Sequence, residues 1–450
     1  MTRATTLLTC VILAGQFNDA AGQTSPVRLT LSDAIARGFE NSHRLAEARA
    51  REEGARAAVS SVDLTRKPVV GASAGYTRTN HVMEFSVPQP GGNRLVVYPD
   101  IPDNFLSRVS FQWPIYTAGR IDALERAAIA EAQAAGADIE TTRADLRFEI
   151  VRAYWAAATA RDAVRVLEES AVRGDAQLQD ARHRFDVGLI PPNEVSSLAA
   201  QRSRERAQLI EAGNLRESAL IELRRLIGAA PDQVIELAEA LEGDGSNGST
   251  GAIGSRGEVP DLVKQALGAR PERKALELRL DGVEARKQAA LTATKPTVAV
   301  TGSIDYANPN PRIFPRTGAW QESWDVGVSV NWNFFDFGRA RSQAAEAAAV
   351  ATATRERIAE FDSIVSADLR QRLLDLDSSQ AMVRAAADAV TSAADARRVV
   401  TDRFSAGVAT ATDVLVAQVA LLENELARTR ALAGVRLAEA RLERVMGRQP

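Results

Sequence analysis

Residues 324–338 read WDVGVSVNWNFFDFG, and in this stretch every second residue from Val326 to Phe334 is apolar. The residues between them are small or polar, namely Gly327, Ser329, Asn331 and Asn333. An alternation with a period of two is typical of a β-strand whose two faces meet different environments. The sequence therefore predicts a strand with one apolar face and one polar face.

Three other segments alternate in the same way. Their apolar or small positions are Val70, Ala72, Ala74 and Tyr76, then Val109, Phe111, Trp113 and Ile115, and finally Val298, Val300, Gly302, Ile304 and Tyr306. The alternating runs have about nine to eleven residues, which is the length of a tilted strand that crosses a bilayer. A strand that covers the core of a soluble sandwich alternates in the same way, so the pattern alone fits both environments.

The chain contains an internal repeat. RFDVGLIPPNEV begins at Arg184, and the similar RFSAGVATATDV begins at Arg403, 219 positions later. A glycine-rich and serine-rich stretch at 243–257 has the composition of a flexible linker. We therefore divide the chain into a signal segment (1–23), a first repeat (24–242), the linker (243–257) and a second repeat (258–450). Each repeat is predicted to contain a helix, two strands, a very long helix, a tight turn and a medium helix.

The long helices are predicted from the positions of proline, the strongest helix breaker. No proline lies between Pro114 and Pro191, or between Pro315 and Pro450. We expect helices over residues 120–185 and 339–403, each about 100 Å long. The shorter helices are predicted at 32–63, 193–227, 261–293 and 412–446. Because two shorter helices add up to about one long helix, stacked end to end they would form its antiparallel neighbour.

The predicted fold is mainly α-helical with some β structure. A solvent-exposed coiled coil would give the same helix pattern. The strands favour a membrane protein, because the helices are committed to one another and leave little to cover a sheet. Four strands cannot close a barrel, since the smallest membrane barrels have about eight. We therefore expect several chains to close one barrel. The candidates for its interfacial aromatic belts are Tyr306, Trp320, Trp324, Trp332, Phe334 and Phe335.

The N-terminus has the features of a secretory signal peptide. Arg3 precedes a short apolar run from Leu7 to Ala14, and small residues follow at 20–22. The only cysteine, Cys10, lies inside this segment, where lipidation is the alternative to simple cleavage. A formal net charge of -3 with interspersed acidic and basic residues gives no indication of a nucleic-acid partner.

The turn between the long and medium helices is also predicted from sequence. Gly188 and Gly407 suit a left-handed helix C-cap. Thr410 and Asp413 have the spacing of a capping box that starts the next helix. In the first repeat we expect Glu194, after Pro191 and Pro192, to do the equivalent work.

The chain resembles the TolC-like outer-membrane efflux protein family, or outer membrane factors. The resemblance rests on the duplicated halves, on the YTAGR and FDFGR motifs after the second strands, and on the RFxxGxxxxxxV turns. The resemblance covers essentially the whole mature chain. It implies a homotrimer in which long antiparallel α-helical hairpins form a periplasmic α-barrel. Four transmembrane strands per chain would form a twelve-stranded barrel in outer-membrane lipid. The family's role is a passive exit duct that docks a periplasmic adaptor and an inner-membrane transporter.

The resemblance also implies site residues. The adaptor-docking tips would be Val187, Gly188 and Leu189 together with Ala406, Gly407 and Val408. The periplasmic entrance would carry Asp413 and its repeat counterpart Glu194. The next expected acidic position holds Val416, and an expected basic position holds Ala409, which departs from a strongly charged entrance ring. Asp413 also fits a simple helix cap. The lipid-facing strand residues would be Val109, Phe111, Trp113, Val298, Val300, Val326, Val328, Val330, Trp332 and Phe334.

Other function classes have less support in the sequence. The three histidines, His43, His81 and His183, are scattered, and the chain contains no zinc-protease, nucleophile-elbow or phosphate-loop motif. We predict no enzyme activity, no cofactor and no metal site. A periplasmic coiled-coil scaffold without a barrel remains the alternative function. The sequence does not indicate which substrate, pump or adaptor an export duct would serve.

Overall fold

The computed structural model describes residues 27–242 and 259–447. The predicted signal segment 1–23 and linker 243–257 lie outside these residues. In chain order the elements are β1 (Val27–Leu29), α1 (Leu31–Asn41), α2 (His43–Leu64), β2 (Val69–Arg78), β3 (Phe85–Pro88), β4 (Arg94–Tyr98), β5 (Asp103–Tyr116), α3 (Arg120–Asp186), α4 (Pro192–Ile227), β6 (Ile235–Leu237), α5 (Val259–Ala269), α6 (Pro271–Leu291), β7 (Thr297–Asn308), β8 (Gln321–Asn331), α7 (Arg339–Ser405) and α8 (Ala411–Met446).

The two predicted long helices are confirmed. Helices α3 and α7 have 67 residues each, which corresponds to about 100 Å. The strand-side half of α3 packs on α2 and α6, and its other half packs on α4 and α8. Within the described ranges, no helix is both long and apolar enough to cross a membrane.

The shorter helices stack end to end as predicted. At one junction Asn41 donates a side-chain hydrogen bond of 3.1 Å to the carbonyl oxygen of Ile227, the last residue of α4. At the other junction a Cβ on Gly447 would lie 2.9 Å from backbone atoms of Ala269, so α8 ends directly against the end of α5. Helices α4 and α2 together therefore run antiparallel to α3, and helices α8 and α6 together run antiparallel to α7. We call the bundle of these six helices the rod.

The helices predicted at 32–63 and 261–293 are each broken into two, which corrects the single-helix predictions. Ser42 ends α1 and caps α2, because its hydroxyl accepts a hydrogen bond from the amide of Leu45 at 3.3 Å. Arg270 separates α5 from α6, which begins with Pro271 at its first position, where the missing N–H costs nothing.

The described residues contain one four-stranded antiparallel sheet in the order β2, β5, β7, β8. The strands of each repeat are therefore neighbours, and β5 joins the repeats by pairing with β7. Pro114 lies within the central strand β5, and the register shifts beside it, between Pro114 and Tyr116. Proline is tolerated there because a bulge removes the need for its missing ladder hydrogen bond. A short hairpin, β3 with β4, lies in the connection between β2 and β5.

Strand β8 ends earlier than its apolar alternation suggests. The last ladder pair is Thr297 with Asn331, because the residue before Thr297 is Pro296 and has no N–H to donate. Trp332 and Phe334, predicted as strand residues, therefore lie beyond the end of β8. Both side chains are exposed, and the Trp332 indole donates a 3.0 Å hydrogen bond to the carbonyl oxygen of Thr294.

The largest hydrophobic core surrounds the middle of α3. Tyr154 is fully buried there, and its hydroxyl donates to the carbonyl oxygen of Leu29 on β1 and accepts from the amide of Glu239 just after β6. Strands β1 and β6 form a parallel pair of three residues each, which the sequence analysis did not predict. Arg161 holds the end of β6 by donating to the carbonyl oxygens of Leu237 and Glu239. This core therefore packs the end of α4 and the start of α2, which meet at the junction, against α3.

Candidate functional surfaces

The sheet has one apolar face, as predicted. Two ladder rows cross its middle, Val70–Phe111–Gly302–Val326 and Ala72–Val109–Ile304–Trp324. Val326 is 65% exposed, Val328 68% and Val330 65% in the single chain. The Phe111 ring instead lies half-buried over Gly302, where a Cβ would come within 2.3 Å of it. Val298 and Val300 are also half-exposed, so β7 is partly shielded by its neighbours.

The opposite face of the sheet is polar. Its rows are Ser73–Arg108–Asp305–Ser323 and Gly71–Ser110–Ser303–Asp325. The Arg108 guanidinium binds both carboxylate oxygens of Asp305, at 2.6 and 2.8 Å. Arg312, from the β7–β8 loop, binds Asp325 at 2.6 Å on the same face. The charges of this face are thus largely paired across neighbouring strands and the loop.

Aromatic side chains gather at both ends of the apolar face. At the end away from the rod, Trp320 stacks on Tyr306 with ring centroids 5.0 Å apart and contacts Phe105. At the rod end, Trp332 contacts Phe334. The eight steps between the nine residues from Val298 to Tyr306 on β7 correspond to about 26 Å, close to the height of the apolar band of membrane barrels.

The two tryptophans that the repeat relates make the same contact. Trp113 donates its indole hydrogen to the carbonyl oxygen of Arg66 at 3.0 Å, as Trp332 does to Thr294. Both acceptors come directly before a Lys-Pro pair at the start of a strand. A tryptophan with a bonded polar edge and an exposed apolar ring is typical of a membrane–water interface. The shift of 219 positions between the repeats relates Trp113 to Trp332.

Both tip turns end in left-handed glycines, as predicted. Gly188 has φ of +75° and Gly407 has φ of +77°. The amide of Leu189 bonds the carbonyl oxygen of Arg184 at 2.8 Å, and the amide of Val408 bonds that of Arg403 at 2.9 Å. These six-to-one bonds define a Schellman motif at the end of both α3 and α7.

The tip turns lie side by side at the end of the rod away from the sheet. The Arg184 guanidinium lies 4.6 Å from the centroid of the Phe404 ring and also bonds the Phe404 carbonyl oxygen. Three of the predicted docking residues are strongly exposed: Val187 at 70%, Leu189 at 72% and Val408 at 73%. The turns therefore present a small apolar surface built on a packed base.

The structure brings Asp413 and Glu194 together at the start of α8. Asp413 and Thr410 form the predicted capping box, with the Thr410 amide donating to the Asp413 carboxylate at 2.9 Å. Glu194 does not cap its own helix, which corrects the prediction. The residue equivalent to Thr410 is Pro191, which has no N–H to offer. Glu194 instead accepts a 3.1 Å hydrogen bond from the amide of Ala411, the first residue of α8.

We predict that Glu194→Ala loosens the start of α8. The substitution removes the partner of the Ala411 amide, a loss worth about 1 kcal/mol at a helix N-terminus. Hydrogen exchange of the peptide covering residues 410–416 should become about five times faster, as measured by mass spectrometry. The same change at Glu211, an exposed residue of α4, should leave that peptide unchanged. Equal exchange in both variants would contradict the cap.

The hydrogen bonds from Thr410 also give the tip a defined acid response. Its backbone amide, and then its hydroxyl, hold the pKa of Asp413 below the ordinary aspartate value. The cap is therefore complete above that ordinary value and is lost as the pH falls through the lowered pKa.

Several buried polar residues were not singled out from the sequence. Glu205, Ser170 and Gln418 are at most 5% exposed, and they lie among the tip-side halves of α3, α4 and α8. Arg444 is mostly buried at the α8–α5 junction. On helices rich in arginine and glutamate, no sequence signal separates these residues from solvated ones.

Comparison with known proteins gives a consistent result. A family model described as outer membrane efflux protein matches residues 35–229 and 262–448. No curated protein matches the chain at a significant level. Several solved structures match the fold over most of their length. The outer membrane protein VceC of Vibrio cholerae has 20% identity and a TM-score of 0.73, with 93% of this chain and 96% of that chain covered.

Two channels from other bacteria match similarly. The outer membrane channel CmeC of Campylobacter jejuni has 16% identity and a TM-score of 0.72, with 93% of this chain and 85% of that chain covered. The outer membrane channel MtrE of Neisseria gonorrhoeae has 18% identity and a TM-score of 0.71, with 93% and 88% covered. At these identities the likeness shows the fold alone. The family model, which matches most of the chain, shows that this protein belongs to the TolC-like outer membrane efflux protein family.

Proposed function

We propose that three copies of this chain form a passive exit duct through the outer membrane, with the helical rods in the periplasm. The observation that carries the proposal is the four-stranded sheet, which has an apolar face, a polar face and two edges that no described strand pairs. A sheet of this kind is stable in a bilayer only if its edges are paired, because unpaired backbone groups cannot be solvated by lipid. Pairing with further copies supplies that closure.

The directions of the edge strands support such a ring. Each neighbouring pair in the order β2, β5, β7, β8 is antiparallel, so the edge strands β2 and β8 run in opposite directions. The β8 edge of one copy can therefore pair with the β2 edge of the next and keep the alternation unbroken. Such head-to-tail contacts close into a ring when the rotation is right. Three copies give twelve strands, an even number within the range of membrane barrels.

The rods also have surfaces that neighbours would cover. Helix α7 packs mainly on α6 and α8 and exposes apolar residues along its length, including Ile364, Leu374 and Met382. Helix α4 exposes Ile210, Leu215 and Ile221. Contact between α7 of one copy and α4 of the next would bury both sets and extend the ring into an α-barrel.

The exposed tip residues suit docking to a periplasmic adaptor, which in turn would connect the duct to an inner-membrane transporter. Val187, Leu189 and Val408 project from rigid Schellman turns, so binding would cost little ordering. Glu194 and Asp413, at the start of α8 beside these turns, are our candidates for the periplasmic entrance.

Cysteine cross-linking tests the ring directly. The only cysteine of the chain lies in the predicted signal segment, so pairs of new cysteines on the two sheet edges can be scanned. Cysteines at β2 positions 69–75 combined with positions 325–331 of β8 should give disulfide-linked trimers, and the purified protein should conduct ions in a planar bilayer. A monomer that is soluble without detergent and does not conduct would favour the periplasmic scaffold instead.

Two variants at one tip glycine test adaptor docking. Gly407→Arg places a bulky charge on the tip at a φ of +77°, where side chains other than asparagine are strained by about 1–2 kcal/mol. Gly407→Asn keeps a small side chain that tolerates this conformation. We expect Gly407→Arg to reduce adaptor-dependent export at least tenfold without loss of trimers, and Gly407→Asn to retain it. Normal export by Gly407→Arg would show that the tip turns are not the docking surface.

A further inference from the structure

A buried polar cluster lies within the tip-side half of the rod, where α3, α4 and α8 meet. Glu205 on α4 is 1% exposed, Ser170 on α3 is 0% exposed and Gln418 on α8 is 5% exposed. Glutamate is almost never buried to this degree without a charged partner. The sequence analysis and the proposed duct assign these residues no role.

The Glu205 carboxyl is only half satisfied. Its Oε1 accepts a hydrogen bond of 3.0 Å from Gln201, while its Oε2 has no partner among the described residues. The absence of a side chain at Gly174 makes room for the cluster. A Cβ at that position would lie 3.1 Å from Glu205 Oε2 and 3.3 Å from Gln418 Nε2. The polar side chains of Glu205 on α4 and Gln418 on α8 therefore both approach Gly174 on α3.

The cations around Glu205 form their hydrogen bonds with other residues. Arg173 binds Glu425 of α8 at 2.9 Å, and Arg204 binds the amide oxygen of Gln201 at 2.8 Å. Beside Gln418 an adjoining cleft of about 600 Å³ opens between α3, α7 and α8. The charged groups near the cluster are Arg173, Asp175 and Asp180 on α3, Arg204 on α4, Glu425 on α8, and Asp395, Arg397, Arg398 and Asp402 on the α7 side of that cleft.

Burial raises the pKa of the Glu205 carboxyl, and the Gln201 hydrogen bond and the Arg173 charge offset this effect only in part. The carboxyl thus stays neutral to a higher pH than an exposed glutamate. Packing around Glu205 is complete below the ordinary glutamate value and weakens as the pH rises through the raised pKa.

We propose that Glu205 is a proton-operated latch between the α3–α4 hairpin and α8. The neutral acid can stay buried where the three helices meet, so the helices remain packed. Loss of its proton to water in the cleft leaves a buried carboxylate with no cation bonded to it, and the helices separate until the charge is hydrated. The latch is a property of the helix packing within one chain and does not depend on the proposed duct.

Hydrogen exchange of the full-length protein tests the latch. Peptides covering residues 168–178 and 414–425 are compared in wild type and Glu205→Gln between pH 5 and 8.5, so that the intrinsic pH dependence of exchange cancels. Above the pKa of Glu205, wild type should exchange up to about tenfold faster per pH unit relative to Glu205→Gln. Glu211→Gln, on the exposed side of α4, should behave as wild type. A constant ratio between wild type and Glu205→Gln across this range would overturn the proposal.

A second variant keeps the test independent of the first. Gln201→Leu removes a hydrogen bond that lowers the pKa of Glu205, so opening should begin at a higher pH than in wild type. A merely structural role for Gln201 would loosen the helices equally at every pH, and that result would also overturn the latch. Bilayer conductance, measured in parallel, separates the two proposals. A pH-dependent exchange signal without conductance would support the latch and count against the duct.

Discussion

Arg444→Ala is expected to lower the free energy of unfolding by about 3 kcal/mol. Arg444 lies near the end of α8, with its side chain 16% exposed, and binds Asp145 of α3 at 2.6 Å as well as Glu272 of α6. Removing one partner of a buried ion pair costs about 3–5 kcal/mol because the other charge stays buried. We expect the lower end, since Glu272 keeps a 3.0 Å bond from Arg270. Urea titration of the purified protein, followed by circular dichroism, measures the loss.

The repeat supplies a matched control. Arg225 occupies the equivalent position at the end of α4, but it is 64% exposed and pairs with Glu222 on the same helix. Surface pairs of this kind contribute about 0–1 kcal/mol. Arg225→Ala should therefore change the unfolding free energy by less than about 1 kcal/mol. Equal losses at Arg444 and Arg225 would contradict a special role for the α8–α5 junction.

The cost of Arg444→Ala should depend on pH. Burial alone would raise the pKa of Glu272, but the hydrogen bond from Arg444, a backbone hydrogen bond and the charges of Arg270 and Arg444 together hold the pKa below the usual range. The stability that Glu272 contributes is therefore complete above its ordinary value and disappears as the pH falls through the lowered pKa. Wild type and variant should accordingly converge in acid. A difference that stays constant down to pH 3 would show that lost packing, rather than the ion pair, causes the destabilisation.

The long helices and tip turns could be predicted because their signals are local. The absence of proline and the left-handed glycines set the ends of α3 and α7 to within two residues of the predicted ones. The break before α6 was also signalled, by Pro271, yet was missed because the surrounding pattern is helical. The break at Ser42 is stabilised by the local Ser42 cap and lies beside the contact between Asn41 and Ile227, which are distant in sequence. Strands β1 and β6 are three residues each and pair across some 200 positions, so no local pattern reveals them.

The candidate functional surfaces could also be predicted only where their signals are local. Alternation identified the apolar face of the sheet, but β8 ends opposite Pro296, just before the neighbouring strand, which left Trp332 and Phe334 outside the ladder. The capping role of Glu194 depends on the other repeat. Arg444 and Arg225 have the same place in the repeat, and only packing makes one buried and the other exposed. Charged residues on such helices acquire roles from tertiary contacts.

Val326→Arg is expected to abolish stable insertion into the outer membrane. Val326 lies in the ladder row through Phe111 and Gly302, midway between the two aromatic clusters, and its side chain is 65% exposed in the single chain. On the lipid face of a membrane barrel an arginine at the midplane costs about 2–4 kcal/mol per chain, and a ring of three chains carries it three times. We expect at least a tenfold loss of heat-modifiable trimer from the outer-membrane fraction.

Thr301→Arg is the matched control, because Thr301 lies next to Gly302 on the polar face of β7, opposite Gly327. If that face lines water, an arginine there is hydrated, and trimers should form normally with altered ion conduction. The pair of variants decides between the duct and the periplasmic scaffold. In a scaffold the exposed Val326 contacts water, so Val326→Arg would be neutral or would improve solubility. If Val326 faces lipid, Val326→Arg and Thr301→Arg should have opposite outcomes. The two positions are only one ladder row apart.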